Sequence, residues 1–314
     1  MSVDLRIIIV SWNVSALLAA CLRSVYAQSV GPYSFEVAVV DNASSDGSVT
    51  MIRTQYPQAQ LLANSANLGF TQANNLALAD CKARYALLLN PDTKLTEGAI
   101  QNMLDYMEVH PEVGMVGPRL VYSDGRPQPS RRRFPTLRMA LAESTPWEWH
   151  FPHNRLARAY RLEDHSDDAT QEVDWVTGAC MLVRREVWEQ VGAFDERFFM
   201  YSEELDWCRR IVAAGWHVVY LPTATVIHYE GASSGQVVAA RSIRFNASKI
   251  HYFRKHHGRL QATILRVSIL SMYAYEWVIE SLKWLIGHKR PMRLQRVRAY
   301  GHLIRSGLRL QVEP

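Results

Sequence analysis

LRIIIVSWNVSALLAACLRSVYAQSVGPYSFEVAVVDNASSDGS, residues 5–48, is the stretch whose reading decides the fold. The apolar run Ile7–Val10 is strand length and stops at Ser11-Trp12-Asn13. Leu17–Tyr26 then carries apolar residues at helical spacing, and Val37–Val40 is a second short run that stops at Asp41-Asn42-Ala43-Ser44-Ser45-Asp46-Gly47. Outward from there the rhythm repeats, with a helical stretch at Val49–Tyr56 and a strand at Ala86–Leu89 closed by Asn90-Pro91-Asp92. Strand and helix in alternation predict an α/β protein with a mainly parallel, twisted, Rossmann-like sheet flanked by helices. In such open sheets ligands bind beyond the carboxyl ends of the strands. Ser11, Trp12 and Asn13, then Asp41, Asn42, Ser44 and Asp46, then Asn90, are therefore expected to converge on one nucleotide crevice.

Other polar clusters belong to the same reading. Asn64-Ser65-Ala66-Asn67-Leu68-Gly69-Phe70 opens a helix that carries Asn74, and such a turn presents amides to phosphate or ribose. It matches neither GxGxxG nor GxxxxGK[ST], which weighs against dinucleotide oxidoreductases and P-loop enzymes. Asp92 lies on the short loop after Leu89, where Pro91 cannot donate to a ladder. A carboxylate in that position suits Mg²⁺ or Mn²⁺, which favour a few carboxylates supplemented by substrate phosphate. In Tyr201-Ser202-Glu203-Glu204-Leu205-Asp206, acids at a helix start are partly explained by the macrodipole. Glu203 and Glu204 nevertheless diverge by about 100° on a helix, so one faces a substrate as general base while the other braces the backbone. His228 follows an apolar strand over His217–Leu221 and adjoins Glu230-Gly231, which makes it a candidate ligand.

Nearly half of the 314 residues are apolar, 48 %, enough for a large core. Four scattered cysteines with no CxxC pair point to a reducing compartment, and the first apolar run is too short for a secretory leader, so a cytoplasmic location is expected. The net charge of +5 hides an asymmetry. Residues 1–230 balance at −7, residues 231–314 at +12, and no carboxylate occurs between Gly231 and Tyr275. From Pro127 to Gln171 the pattern dissolves into Pro, Arg and aromatics, including Arg131-Arg132-Arg133 and Trp147-Glu148-Trp149-His150, which reads as a long excursion. Residues 260–286 are helical by pattern, yet Arg266, Glu276, Glu280 and Lys283 weigh against a membrane span. Val267, Leu270, Ala274, Trp277, Val278, Leu282 and Leu285 form a stripe. With the cations after it, that stripe predicts a helix lying in an anionic membrane surface, against the alternative of a helix packed on the protein's own core. The apolar helix among those cations suits lipid better than nucleic acid.

Taken in order, IIIVSWN, VVDNASSDGS, NLGFTQANN, LLLNPDTKL, WVTGACMLVRREVWEQVGAFDERFFMYSEELDWCRR and VIHYEG cover about 225 residues. Their order resembles glycosyltransferase family 2, in particular its rhamnosyltransferase-like branch that builds bacterial surface polysaccharides. The resemblance implies a GT-A fold over residues 1–240, with a nucleotide-sugar half at 1–120 and an acceptor half at 121–240. The basic helical extension at 241–314 lies outside it. The resemblance also implies an inverting hexosyl transfer of rhamnose or a related sugar from a dTDP-, UDP- or GDP-linked donor. The acceptor would be a glycan or polyprenyl-diphosphate-linked glycan, met at the inner face of the cell membrane. Carried over by position, Asp41 contacts the base, and Asn67 and Gly69 belong to the donor loop. Asp92 is the surviving carboxylate of the metal motif, with Asn90 where many members have aspartate. Glu204 takes the place of the general base, with Glu203, Asp206, Trp175 and Gly178 in support, and His228 completes the metal or diphosphate site. Relatives often have Glu-Asp where this chain has Glu203-Glu204, so the choice between these two stays open. A sugar-nucleotide nucleotidyltransferase, which would release pyrophosphate, and an inactive nucleotide- or nucleic-acid-binding protein are the alternatives.

Overall fold

The computed structural model describes residues 3–145, 151, 153–229 and 238–309. Trp147–His150 and Glu230-Gly231, singled out above, lie outside the described residues. The chain begins with β1 (Leu5–Ser11), α1 (Ser15–Tyr26), β2 (Phe35–Asp41), α2 (Ser48–Gln55), β3 (Gln60–Ala63), α3 (Gly69–Ala79) and β4 (Tyr85–Leu89). These strands pair in parallel as β3-β2-β1-β4, with Ser11 opposite Asp41 and Ile9 opposite Leu89. The predicted βαβ rhythm is therefore present, and the strand ends bearing Ser11, Asp41 and Asn90 share one edge of the sheet. Strands β1 and β4 are buried along nearly their whole length, as parallel strands covered on both faces must be.

Next come β5 (Thr93–Leu95), α4 (Ala99–Val109), β6 (Val113–Val121), β7 (Pro127–Gln128), β8 (Arg131–Arg132), α5 (Leu137–Glu143) and α6 (Arg155–Arg161). After them follow β9 (Gln171–Glu172), β10 (Trp175–Val176), β11 (Cys180–Arg184), α7 (Arg185–Val191), α8 (Glu203–Ala213) and β12 (His217–His228). Beyond β4 the sheet continues β11-β6-β12-β5, with β11 antiparallel to both β4 and β6 and β12 parallel to β6. Strand β6 escapes a sequence reading because Gly114, Gly117 and Pro118 interrupt its apolar run. Gly117 is needed for packing, since a Cβ there would come within 2.7 Å of Val176. The excursion is not featureless: Arg131–Arg132 pairs antiparallel with Trp175–Val176 as a separate small ribbon.

Two compact units divide the chain. The sheet unit comprises Met1–Phe134, Arg161–Phe199 and Glu203–Ser233. The second comprises Pro135–Tyr160, Met200–Ser202 and Ser234–Pro314. The second unit is helical and carries α9 (Val238–His256), α10 (Gly258–Leu285) and α11 (Arg290–Ser306). All four cysteines are buried and unpaired.

Candidate active site

Strand ends form the floor of the site. The Ser11 carbonyl accepts the Asn42 N–H at 2.8 Å, which fixes the turn after β2 against the end of β1. Asp41 Oδ2 accepts the Ser44 N–H at 2.8 Å, while Asp41 Oδ1 and Ser11 Oγ are buried without a partner. Buried acceptors left open in this way are costly, and a ligand donor would satisfy them. Asn13, at φ 53°, donates its N–H to Ser44 Oγ and accepts the Ser45 N–H on Oδ1, drawing the two loops together. Trp12 is half-buried beside it. Asp46 is occupied differently: Oδ2 accepts the Ser15 N–H at 2.7 Å, and Oδ1 accepts the N–H and hydroxyl of Ser48. It joins the first turns of α1 and α2, a capping role that needs no ligand.

The Asn-rich loop is locked to this floor. Asn42 Nδ2 donates to the Gly69 carbonyl at 3.0 Å, Asn64 Nδ2 donates to Asn42 Oδ1 at 2.9 Å, and Asn67 Oδ1 accepts the Gly69 N–H at 2.9 Å. Gly69 has φ +80°, and a Cβ there would stand 2.7 Å from both the ring and the carbonyl of Phe199. Both facts demand glycine. Phe70 donates its N–H to the Phe199 carbonyl, and its ring lies 5.9 Å from that of Phe194. Buried Asn74 donates to the Phe70 carbonyl at 2.8 Å, so it braces the helix start.

Beyond β4, the Asn90 N–H donates to the Ala179 carbonyl, and the Asn90 carbonyl accepts from Thr93. Asp92 and His228 meet across the β5–β12 pairing, with Asp92 Oδ1 3.4 Å from His228 Nε2 and both side chains nearly buried. The Gln128 Oε1 carbonyl sits 2.9 Å from His228 Nδ1. Because an amide oxygen only accepts, Nδ1 donates to it, and Nε2 is the nitrogen turned toward the carboxylate. One carboxylate oxygen and one imidazole nitrogen fit a divalent ion whose other positions are filled by diphosphate and water. Among the described residues no group of three His, Cys, Asp or Glu gathers to hold a metal by itself.

The chain enters α8 through two non-glycine residues in left-handed conformation, Tyr201 at φ 73° and Ser202 at φ 62°. Such residues persist only where the surroundings dictate them, and they commonly flank functional groups. Glu203 is buried and Glu204 half-buried, and one oxygen of each is buried without a partner. Burial, followed by the charge of Glu204, pushes the Glu203 carboxyl well above the usual range. Burial also raises Glu204, against N–H groups of Glu204 itself, Leu205 and Gly178 and the positive charge of Arg132. Gly178 lies against Glu204, within ordinary contact distance for an added Cβ. Trp175 is buried and donates its indole N–H to the Arg133 carbonyl at 2.9 Å. Fully buried Asp206 pairs with Arg210 at 3.0 Å, and Arg210 also donates to the Val191, Gly192 and Ala193 carbonyls. Asp206 thus anchors α8.

Sequence reasoning passed over two residues. Arg132 stacks 5.0 Å over Trp175 and adds positive charge to the surroundings of Glu204. Its signal was the Arg131–Arg133 run, whose other members are engaged, Arg131 with Asp167 and Arg133 with Asp174. Gln128, which orients the His228 ring, lies 100 residues away in sequence with no local pattern to reveal it.

Comparison with known proteins bears on the family and the fold. The family described as "Glycosyltransferase like family 2" matches residues 4–244. The N-acetylglucosaminyl-diphospho-decaprenol L-rhamnosyltransferase of Mycobacterium tuberculosis is 31% identical over 265 residues, 81% of this chain and 85% of that protein. Rhamnosyltransferase WbbL of Escherichia coli is 28% identical over 177 residues, 51% of this chain and 61% of that one. The structure of the mannosyltransferase PcManGT from Pyrobaculum calidifontis, in complex with GDP-Man and Mn²⁺, superposes with a TM-score of 0.57 at 17% identity, covering 97% of this chain and 86% of that one. The sheet unit has the GT-A fold, and the chain belongs to glycosyltransferase family 2, on its rhamnosyltransferase-like side.

Proposed function

We propose that this glycosyltransferase moves rhamnose or a related hexose, with inversion, from a nucleoside diphosphate to a hydroxyl of a lipid-linked glycan in cell-surface polysaccharide synthesis. The similarity to a rhamnosyltransferase named for a diphospho-decaprenol acceptor supports the acceptor class. The observation that carries the mechanism is the paired acid at the start of α8. Glu203 is buried, whereas Glu204 is only half-buried and stands against Gly178, so Glu204 is the acid an acceptor hydroxyl can reach. Two adjacent acids of unequal access divide into a buried brace and a working base. In this reading Glu204 takes the proton of the acceptor hydroxyl as its oxygen attacks the anomeric carbon, and the bond to the diphosphate breaks on the opposite face. Asp41 and Ser11 receive donor groups of the nucleotide, and the Asn67–Phe70 turn borders the sugar-diphosphate.

Asp92 and His228 are the residues that would hold Mg²⁺ or Mn²⁺, which when bound neutralises charge on the departing diphosphate. The Mn²⁺ in the mannosyltransferase complex supports that class of ion. A nucleotide-linked donor and a lipid-linked acceptor support work at the cytoplasmic surface of the cell membrane.

Product analysis tests the proposal. Incubation with dTDP-, UDP- and GDP-hexoses and a polyprenyl-diphosphate-linked N-acetylglucosamine should release a nucleoside diphosphate and give a glycoside of inverted anomeric configuration by NMR. Retained configuration would remove Glu204 from this role, and release of pyrophosphate would indicate a nucleotidyltransferase instead.

A further inference from the structure

Helix α10 buries Ala262, Leu265, Ile269 and Glu280. At about 100° per residue these fall on one side of the helix. On the opposite side, within an arc of about 120°, lie Leu260, Ile264, Val267, Ser271, Ala274, Tyr275, Val278, Leu282 and Leu285. That side is exposed and contains no charge: Leu260 is 75% exposed, Val267 56%, Leu282 53% and Leu285 62%. A helix side turned to water is ordinarily polar, and a contiguous apolar strip about 38 Å long marks a surface awaiting a partner. The sequence stripe is corrected in detail, since Leu270 turns partly inward while Leu260, Ile264 and Tyr275 join the exposed side.

The four charges that argue against a membrane span lie outside this strip. Arg266 donates to the Gly307 carbonyl, and both Glu280 oxygens accept from Arg293 Nη1 with Lys283 and Arg296 close by. Among the described residues no helix is long and apolar enough to cross a membrane.

Charge decides the occupant. The strip starts beside Arg259 and ends beside Lys289 and Arg290, all exposed, and α11 adds exposed Arg298 and Arg305. Against these stand only Glu276 and Glu280 over residues 257–309, and Glu280 is consumed in its ion pairs. Two copies meeting on this face would bring like charges together, whereas anionic lipid headgroups would neutralise them. Trp277 and Trp284 flank the strip, with Arg290 6.0 Å over the Trp284 ring, the kind of amphipathic residue that settles at a lipid–water boundary.

We propose that the exposed side of α10 docks in the plane of an anionic lipid surface. The proposal rests on the lipid-linked acceptor for its purpose but not for its test.

The full chain should float with equimolar phosphatidylglycerol–phosphatidylcholine vesicles, less with phosphatidylcholine alone, and less again as salt rises, because exposed charges are screened. The combined variant Val267→Glu, Val278→Glu, Leu282→Glu should lower the partition coefficient at least about tenfold. Its melting temperature, and the shift given by a nucleoside diphosphate with Mn²⁺, should not change. In a second variant, Val278→Cys carrying an environment-sensitive fluorophore should blue-shift on vesicle addition, and the native cysteines are buried and will not compete for label. Equal flotation of the triple variant, absence of flotation by the native chain, or a dimer in sedimentation velocity that the triple variant dissolves would each overturn the proposal. Loss of glycosyl transfer with flotation intact would instead count against the functional reading alone.

Discussion

Glu203 and Glu204 are neighbours in sequence, yet one is buried and the other half-buried beside Gly178. The Glu204→Gln substitution keeps the shape and removes the base, so turnover should fall by about two to four orders of magnitude with the donor dissociation constant nearly unchanged. Steady-state rates alongside donor titration would show this, and an unchanged rate would move the base to Glu203. Because burial raises the Glu204 carboxyl, the acid limb of the rate profile should lie above the usual carboxylate range. Glu203 makes the opposite kind of prediction. Its folded-state pKa is raised above the unfolded 4.5, so the stability it contributes is fully present below about pH 4.5 and is lost as pH rises through the folded value. Glu203→Gln should therefore raise the melting temperature at neutral pH by a few degrees and give little gain near pH 4, by calorimetry at both pH values. The position of the pair was legible in YSEELDWC. Its division of labour was not, because burial and the nearby Arg132 charge are tertiary facts.

At the scale of elements, the turn after β2 and the start of α2 carry two functions in one string of sequence. DNASSDGS reads as a ligand cluster, yet Asp46 spends both oxygens on the starts of α1 and α2, while Asp41 keeps one oxygen free. Asp46→Ala should cost about 1–2 kcal/mol of stability, as the loss of a cap does, with donor affinity changed less than by Asp41→Ala. Denaturant titration and donor binding on the two variants separate the roles. Spacing alone does not distinguish a capping aspartate from a binding one, since both sit at strand-to-helix turns. A harsher effect belongs to Gly69, where φ +80° and the Phe199 contact combine. Gly69→Ala should displace the start of α3, destabilise by about 1–3 kcal/mol and weaken donor binding together. Unaltered binding would show that the Asn67–Phe70 turn is only structural.

Across the whole molecule, β1, β2 and β4 were readable because each is an apolar run ending in a polar cluster, whereas four-residue β3 and three-residue β5 carry too short a pattern. The sheet's second half was less readable. Strand β6 hid behind Gly114, Gly117 and Pro118, and the β8–β10 ribbon consists of two-residue strands joined by no local pattern. His228 could be named from VIHYEG, but its ring is oriented by Gln128, a residue no periodicity selects. The charge division is a further global feature, with residues 1–230 at −7 although they carry the sites assigned to an anionic nucleotide diphosphate. A dianion entering acidic surroundings gains from a divalent counter-ion, and Asp92 and His228 are gathered at the strand ends to share one. The matching nucleoside diphosphate should therefore raise the melting temperature by several degrees with Mn²⁺ when present at about 100 times its dissociation constant, and far less after chelation. Asp92→Asn should abolish the metal-dependent part and leave the metal-free baseline in place. Equal shifts with and without Mn²⁺ would mean that protein cations alone neutralise the diphosphate, and Arg132 would then be the residue to substitute.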